Sequence, residues 1–453
     1  MPSYPGATLE IVLFRQFVDE DLGCGSYLVG DLQARQAVVV DPAFAIEQYL
    51  DAAAEAGVAI TGVLETHTHA DHVSGHGRFA LEHGIPTSIH PIAEPEYPFV
   101  PLADAETVRV GDVRIRVVHT PGHRPEHCAF VVDETLVLTG DSLFVGDAAR
   151  PDLAVAAREG ATDLFHSLAR LTALDDAVEV YPGHVAGSLC GVAMRPERST
   201  TIGHERVSNT ALAFEDEQEF VLASASVSTP RPPTTELVVE LNRGPWVALP
   251  EPPSELAAPG DLPVLDVRPF ADHAAGHLPG AVNVPLRGSS FGTKAAFLVD
   301  PELPLVLQAG SRDEAEAAAA ELWAVGLFRI DGYVVDPTAA ETLATVDLPT
   351  LTRLVEESSA NGGTLQLVDV REPSERDTGY IPGSRNIPYR LLGRGGADSL
   401  DPAQPVVTIC ESGARAGVAA SLLRSKGFDA RAVADGGIAD YEGELVTFRR
   451  CGS

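Results

Sequence analysis

The chain has 453 residues, 45% hydrophobic and 21% charged, with a formal charge of −33 at pH 7. Its length suggests two to four domains, each able to bury a core, and its composition is that of a soluble globular protein. The excess of acid disfavours nucleic acid and anionic membranes as partners.

The first elements read as alternating strands and helices. Residues 11–17, 26–29 and 37–40 are strand-like, the last ending at Asp41-Pro42, and residues 46–56 and 73–83 have helical spacing. Between those helices, after a β-rich run, comes Thr66-His-Thr-His-Ala-Asp-His72. Crowded imidazoles and a carboxylate would be unsatisfied polar groups unless something bound them, and a divalent metal is the usual answer. The same residue types recur after later apolar runs: His119-Thr-Pro-Gly-His123, Thr139-Gly-Asp141 and Tyr181-Pro-Gly-His184. Polar groups at strand tips beside Gly and Pro turns are how an α/β scaffold builds a site.

Residues 226–233 are Pro-rich and expected to run extended, and a second breaker cluster at 250–263 marks the end of the first domain. An internal repeat follows. Val264-Leu-Asp-Val-Arg268…Gly276-His-Leu-Pro-Gly-Ala-Val-Asn-Val-Pro285 aligns with Leu367-Val-Asp-Val-Arg371…Gly379-Tyr-Ile-Pro-Gly-Ser-Arg-Asn-Ile-Pro388, with equal spacing from Asp to Asn. Each copy adds an apolar strand and an Ala-rich helix, so both are small α/β units. In the second, the strand at 406–409 runs into Cys410-Glu-Ser-Gly-Ala-Arg415 and a helix over 416–425. A cysteine in a loop capping a helix sits among backbone N–H groups. The helix dipole and Arg415 both favour its thiolate, the nucleophilic form of cysteine. The first copy has the shortened loop Ala309-Gly-Ser-Arg312 and no nucleophile.

The cysteines Cys24, Cys128, Cys190, Cys410 and Cys451 are odd in number, spread out and without C-x-x-C pairs. That argues against a disulfide framework and fits a reducing cytoplasm. There is no signal-peptide pattern and no apolar run of about 18 residues, so no membrane is expected. Cys24, Cys128 and Cys451 are read as outside the chemistry.

The T-H-x-H-x-D-H run, H-T-P-G-H, T-G-D and P-G-H resemble the metallo-β-lactamase superfamily over about residues 10–245, implying an αββα sandwich. The D-V-R and G-x-I-P-G-x-x-N-I-P pattern resembles the rhodanese family, weaker in the first copy and strong in the second. The expected fold is therefore α/β: a metallo-β-lactamase sandwich over 1–249, an inactive rhodanese-like domain over 250–345, and a rhodanese domain over 346–453. The rhodanese resemblance makes Cys410 the sulfur carrier. Tyr380 stands where the first copy has His277.

Two metal chemistries compete. A dinuclear zinc hydrolase would use His67, His69 and His123 for one ion, Asp71, His72 and His184 for the other, and Asp141 as bridge. A single Fe(II) would use His67, His123 and Asp141, leaving His69, Asp71, His72 and His184 to orient those ligands. Gly140-Asp-Ser-Leu-Phe-Val-Gly-Asp-Ala-Ala-Arg-Pro-Asp-Leu153 resembles a segment of persulfide dioxygenases, with Ala149 in place of the usual glycine, and so favours iron. A sulfurtransferase neighbour favours it too, because both halves then handle persulfides. The expected partners are a small thiol persulfide, O2, and thiosulfate or sulfite, with self-association left open. Arg150 is a candidate for binding a substrate carboxylate, or for pairing with Asp152 or Asp163. Cys190 is a candidate for lining the pocket.

Overall fold

The computed structural model describes residues 12–151, 154–185, 194–226, 230–335, 341–360 and 365–447. The chain divides into two compact units, Met1–Pro250 with Trp323–Gly326, and Glu251–Leu322 with Leu327–Ser453.

The first unit holds two six-stranded sheets. One runs β1 (Val12–Val18), β2 (Gly25–Asp31), β3 (Gln36–Val40), β4 (Ala59–Leu64), β5 (Thr87–Ile89) and β6 (Val100–Pro101). The other comprises β7 (Thr107–Val110), β8 (Val113–His119), β9 (Cys128–Val132), β10 (Leu136–Gly140), β11 (Glu179–Pro182) and β12 (Thr200–Thr201). The side-chain period of two sorts each strand between two cores. Val38 and Val40 face Phe130 and Val132 between the sheets, whereas Val39 packs under Tyr49 and Phe79, and Val131 under Leu164 and Leu168. Strands covered on both faces read as unbroken apolar runs, as in Cys-Ala-Phe-Val-Val of β9. Burying a ring such as Phe130 is worth about 1.5–3 kcal/mol. Two sheets face to face under helices are the expected αββα sandwich.

The helix expected over 46–56 forms as α1 (Glu47–Ala56), ended by Gly57 at φ 68, a left-handed stop that glycine tolerates. The one expected over 73–83 begins later, as α2 (His76–His83). Ser74 accounts for the delay: its hydroxyl donates to Glu65 at 2.5 Å and accepts the His76 N–H, fixing a turn ahead of the helix. Ala157–Leu171 forms α3 against the second sheet.

The second unit holds two parallel four-stranded sheets of identical order. The first is β14-β13-β15-β16, formed by Val282–Asn283, Val264–Asp266, Leu305–Ala309 and Ile330–Val335. The other is β18-β17-β19-β20, formed by Arg385–Asn386, Gln366–Asp369, Val406–Ile409 and Ala430–Ala432. Asp266 pairs in register with Gln308, and Asp369 with Ile409, so the next residue is Ala309, the last of its strand, in one copy and Cys410, just past its strand, in the other.

Candidate metal centre and cysteine loop

Four segments leave their strands at the metal centre: 65–75 after β4, 120–127 after β8, Asp141 after β10, and Gly183-His184 after β11. His67, His123 and Asp141 are buried and each offers one ligand atom, all within 4.8 Å of one another. The hydroxyl of Thr66 donates to Asp41 at 2.8 Å, so it accepts from His67 Nδ1 at 2.9 Å. His123 Nδ1 donates to the Arg150 carbonyl at 3.1 Å. Both imidazoles are thereby assigned the tautomer that leaves Nε2 with its lone pair, as a metal ligand requires. Burial holds His67 and His123 below the usual histidine range, and nearby cationic groups push His67 further down. Burial alone would raise Asp141, but the charge and hydrogen bond of His184 hold it below the usual carboxylate range.

Asp141 Oδ1 meets His184 Nδ1 at 2.7 Å, whereas the buried Oδ2 has no hydrogen-bond partner and lies 3.5 Å from His123 Nε2. Such an orphan costs about 1–3 kcal/mol. A cation held by Oδ2 and two imidazole nitrogens would remove that cost, so the donor set fits a 2-His-1-carboxylate metal.

The other predicted residues form two further groups. His69 brings Nε2 within ion-pair distance of Asp41 Oδ1 at 3.3 Å and Glu65 Oε2 at 3.2 Å, and neither of its buried ring nitrogens makes a hydrogen bond. Asp71 bridges His72 Nδ1 at 3.3 Å and His184 Nε2 at 2.7 Å. Into that group comes Cys24, with Sγ at 3.2 Å from Asp71 and 3.3 Å from His184 Nε2. Nothing in the sequence around Cys24 signals this. It arrives because Cys24 and His184 form an isolated antiparallel bridge.

Three supporting residues were also not singled out. His127 accepts the Asp141 N–H on Nε2 at 2.9 Å and meets Thr120 through Nδ1 at 2.8 Å; burial pushes it down to about 3, so it stays neutral. Asn242 donates to the carbonyls of His69 and His72, and Glu126 accepts the Thr68 N–H. Gly140 sits at φ 48, where a Cβ would stand 2.7 Å from both His127 Nε2 and Thr66 Oγ1, which explains the glycine of the T-G-D motif. Arg150 is buried, with its carbonyl on His123; Asp152 and Cys190 lie outside the described residues.

In the second unit, β19 leads to Cys410 and a helix over Ala414–Ser425. Cys410 Sγ is buried and accepts the Gly413 N–H at 3.1 Å. Arg415 does not stand free beside it: both terminal nitrogens donate to Glu375 at 2.6 Å, so its charge is largely answered. Arg371 links Asp369 to Glu411 at 2.8 Å. Arg376 stacks on Tyr380 at 3.9 Å, where the first copy stacks His273 on His277 at 3.8 Å. The loop after Ala309 is filled from within, because Glu314 accepts the Gly310 N–H at 2.7 Å.

The comparisons with known proteins agree with this layout. The metallo-β-lactamase superfamily matches residues 20–184, and the rhodanese-like domain matches 253–335 and 352–444. A mitochondrial persulfide dioxygenase, ETHE1, of Bos taurus is 27% identical over 235 residues, covering 51% of this chain and 87% of that protein. An uncharacterised protein of Mycobacterium leprae is 32% identical over 223 residues, covering 42% of this chain and 94% of that protein. The crystal structure of a metallo-β-lactamase from Staphylococcus aureus covers 72% of this chain and 99% of its own, with TM-score 0.65 and 26% identity. The chain thus belongs to the metallo-β-lactamase superfamily, related to the ETHE1 persulfide dioxygenases over its N-terminal half, and carries two rhodanese-like domains after it.

Proposed function

We propose that the chain oxidises a low-molecular-weight persulfide with O2 to sulfite and free thiol at one iron, and moves sulfane sulfur at Cys410. The observation that carries this is the buried triad of His67, His123 and Asp141, with both imidazoles donating through Nδ1 and Asp141 Oδ2 unpartnered. The similarity to persulfide dioxygenases and the attached rhodanese-like domains support it.

His67, His123 and Asp141 would hold the ion, which when bound supplies open positions for sulfur and O2. The protein's own part is orientation: Thr66 and the Arg150 carbonyl fix the two rings, and His184 fixes the carboxylate. At Cys410 the thiolate attacks the outer sulfur of a donor R–S–SH. A new S–S bond forms to Cys410, the donor S–S bond breaks, and R–S⁻ leaves with the electron pair. The Gly413 N–H supports the sulfur throughout.

A dinuclear zinc hydrolase is the second reading, favoured by the Cys24, Asp71 and His72 group. A reducing compartment such as the cytoplasm suits the free thiols of Cys24, Cys128 and Cys410. Among the described residues no helix is long and apolar enough to cross a membrane.

The test is oxygen consumption with a small persulfide. Sulfite should form in step with O2 uptake, and thioester hydrolysis without oxygen uptake would point to the zinc reading.

A further inference from the structure

We propose that Arg124 binds the carboxylate of the thiol carrier at the metal centre and so selects persulfides of acidic thiols. This rests on reading His67, His123 and Asp141 as the site of persulfide chemistry.

Arg124 follows His123 directly, and its side chain is 10% exposed. Its Nε donates to Glu126 Oε1 at 2.7 Å, and the same oxygen accepts the N–H of Thr68, between His67 and His69. The guanidinium is therefore anchored along one edge to the loop that carries the metal ligands. Its two terminal nitrogens have no acceptor among the described residues, and neither is sealed from solvent. That open edge has the fork geometry that takes a carboxylate with two parallel hydrogen bonds. Each carboxylate of the centre already faces an imidazole: Asp41 and Glu65 that of His69, Asp71 those of His72 and His184, Asp141 that of His184. In a chain of charge −33, an acidic ligand needs such a local cation, and partial burial strengthens it by lowering the effective dielectric.

The experiment compares two persulfides in the full iron-loaded chain, that of 3-mercaptopropionate and that of 2-mercaptoethanol, which has no carboxylate. Wild type should favour the first in kcat/KM. Arg124→Met should lower that preference about tenfold, the order of one charge-assisted hydrogen-bonded contact, with the change in KM rather than kcat. Arg124→Lys should fall between the two, and serves if Arg124→Met does not fold. A purely structural role, loosening Glu126 from Thr68, would slow both substrates alike; an unchanged preference in the variants overturns the proposal. Calorimetry with 3-mercaptopropionate itself gives a readout independent of turnover, and binding should weaken in Arg124→Met. If neither persulfide drives oxygen uptake, the reading of the metal centre fails, and calorimetry still decides Arg124.

Discussion

Asp141 and His184 share a 2.7 Å hydrogen bond that uses one carboxylate oxygen and turns the other, unpartnered, toward His123. The bond also ties the triad to the neighbouring group, since the far nitrogen of His184 reaches Asp71 at 2.7 Å. His184→Leu removes both contacts at once. It should cost about 1–3 kcal/mol of stability through the buried oxygen left bare, read as a lower midpoint of chemical unfolding. Metal affinity should fall about 10–100-fold, as is usual when a ligand loses its support, measured by competition with a chelator.

The two chemistries should separate within one chain. His123→Ala removes a proposed ligand and should abolish persulfide-dependent oxygen uptake while transfer at Cys410 continues. Cys410→Ser replaces the sulfur nucleophile with a far weaker hydroxyl, and should abolish transfer while oxygen uptake with a small persulfide continues. Loss of oxygen uptake in Cys410→Ser would mean the roles are not divided as described.

Restoring a thiol to the first rhodanese-like copy should not restore its activity. In a Cys410→Ser background, Ala309→Cys places sulfur at the equivalent register, but the Gly310 N–H is held by Glu314 and the loop is short. Sulfur transfer from thiosulfate to cyanide should stay at background. Recovery of a substantial rate would show that the loop can open.

Acid should loosen the first copy before the second. Burial, with the charge of His277, holds His273 below the usual histidine range despite its bond to Asp266. The unfolded chain then takes up this proton at higher pH than the folded one. Stability is full above the ordinary value of about 6.5 and falls as pH drops below it. Arg376 occupies the matching place in the second copy and keeps its charge across this window. Hydrogen exchange, corrected for intrinsic rates, should show protection of β13 and β15 falling between about pH 7.5 and about pH 5.5 while β17 and β19 hold. Equal losses in both copies would contradict this.

The sandwich, the repeat and the gathering of His67, His123 and Asp141 were legible because each rests on local pattern: alternation along strands, equal spacing between copies, and histidines beside strand-ending turns. What escaped is what the fold assembles from afar. Cys24 reaches Asp71, and Asn242 the backbone of His69 and His72, across long stretches of chain. Arg415 read as a free cation because its partner Glu375 lies 40 residues away. The late start of α2 escaped because apolar spacing cannot reveal that Ser74 spends its hydroxyl on Glu65.

The most direct test of the central claim is the metal content of the full chain purified without oxygen from iron-supplemented cells, beside the same measurement on Asp141→Asn. The account predicts about one iron per chain, as a single 2-His-1-carboxylate site requires, and loss of most of it in the variant. Two zinc ions per wild-type chain would contradict it.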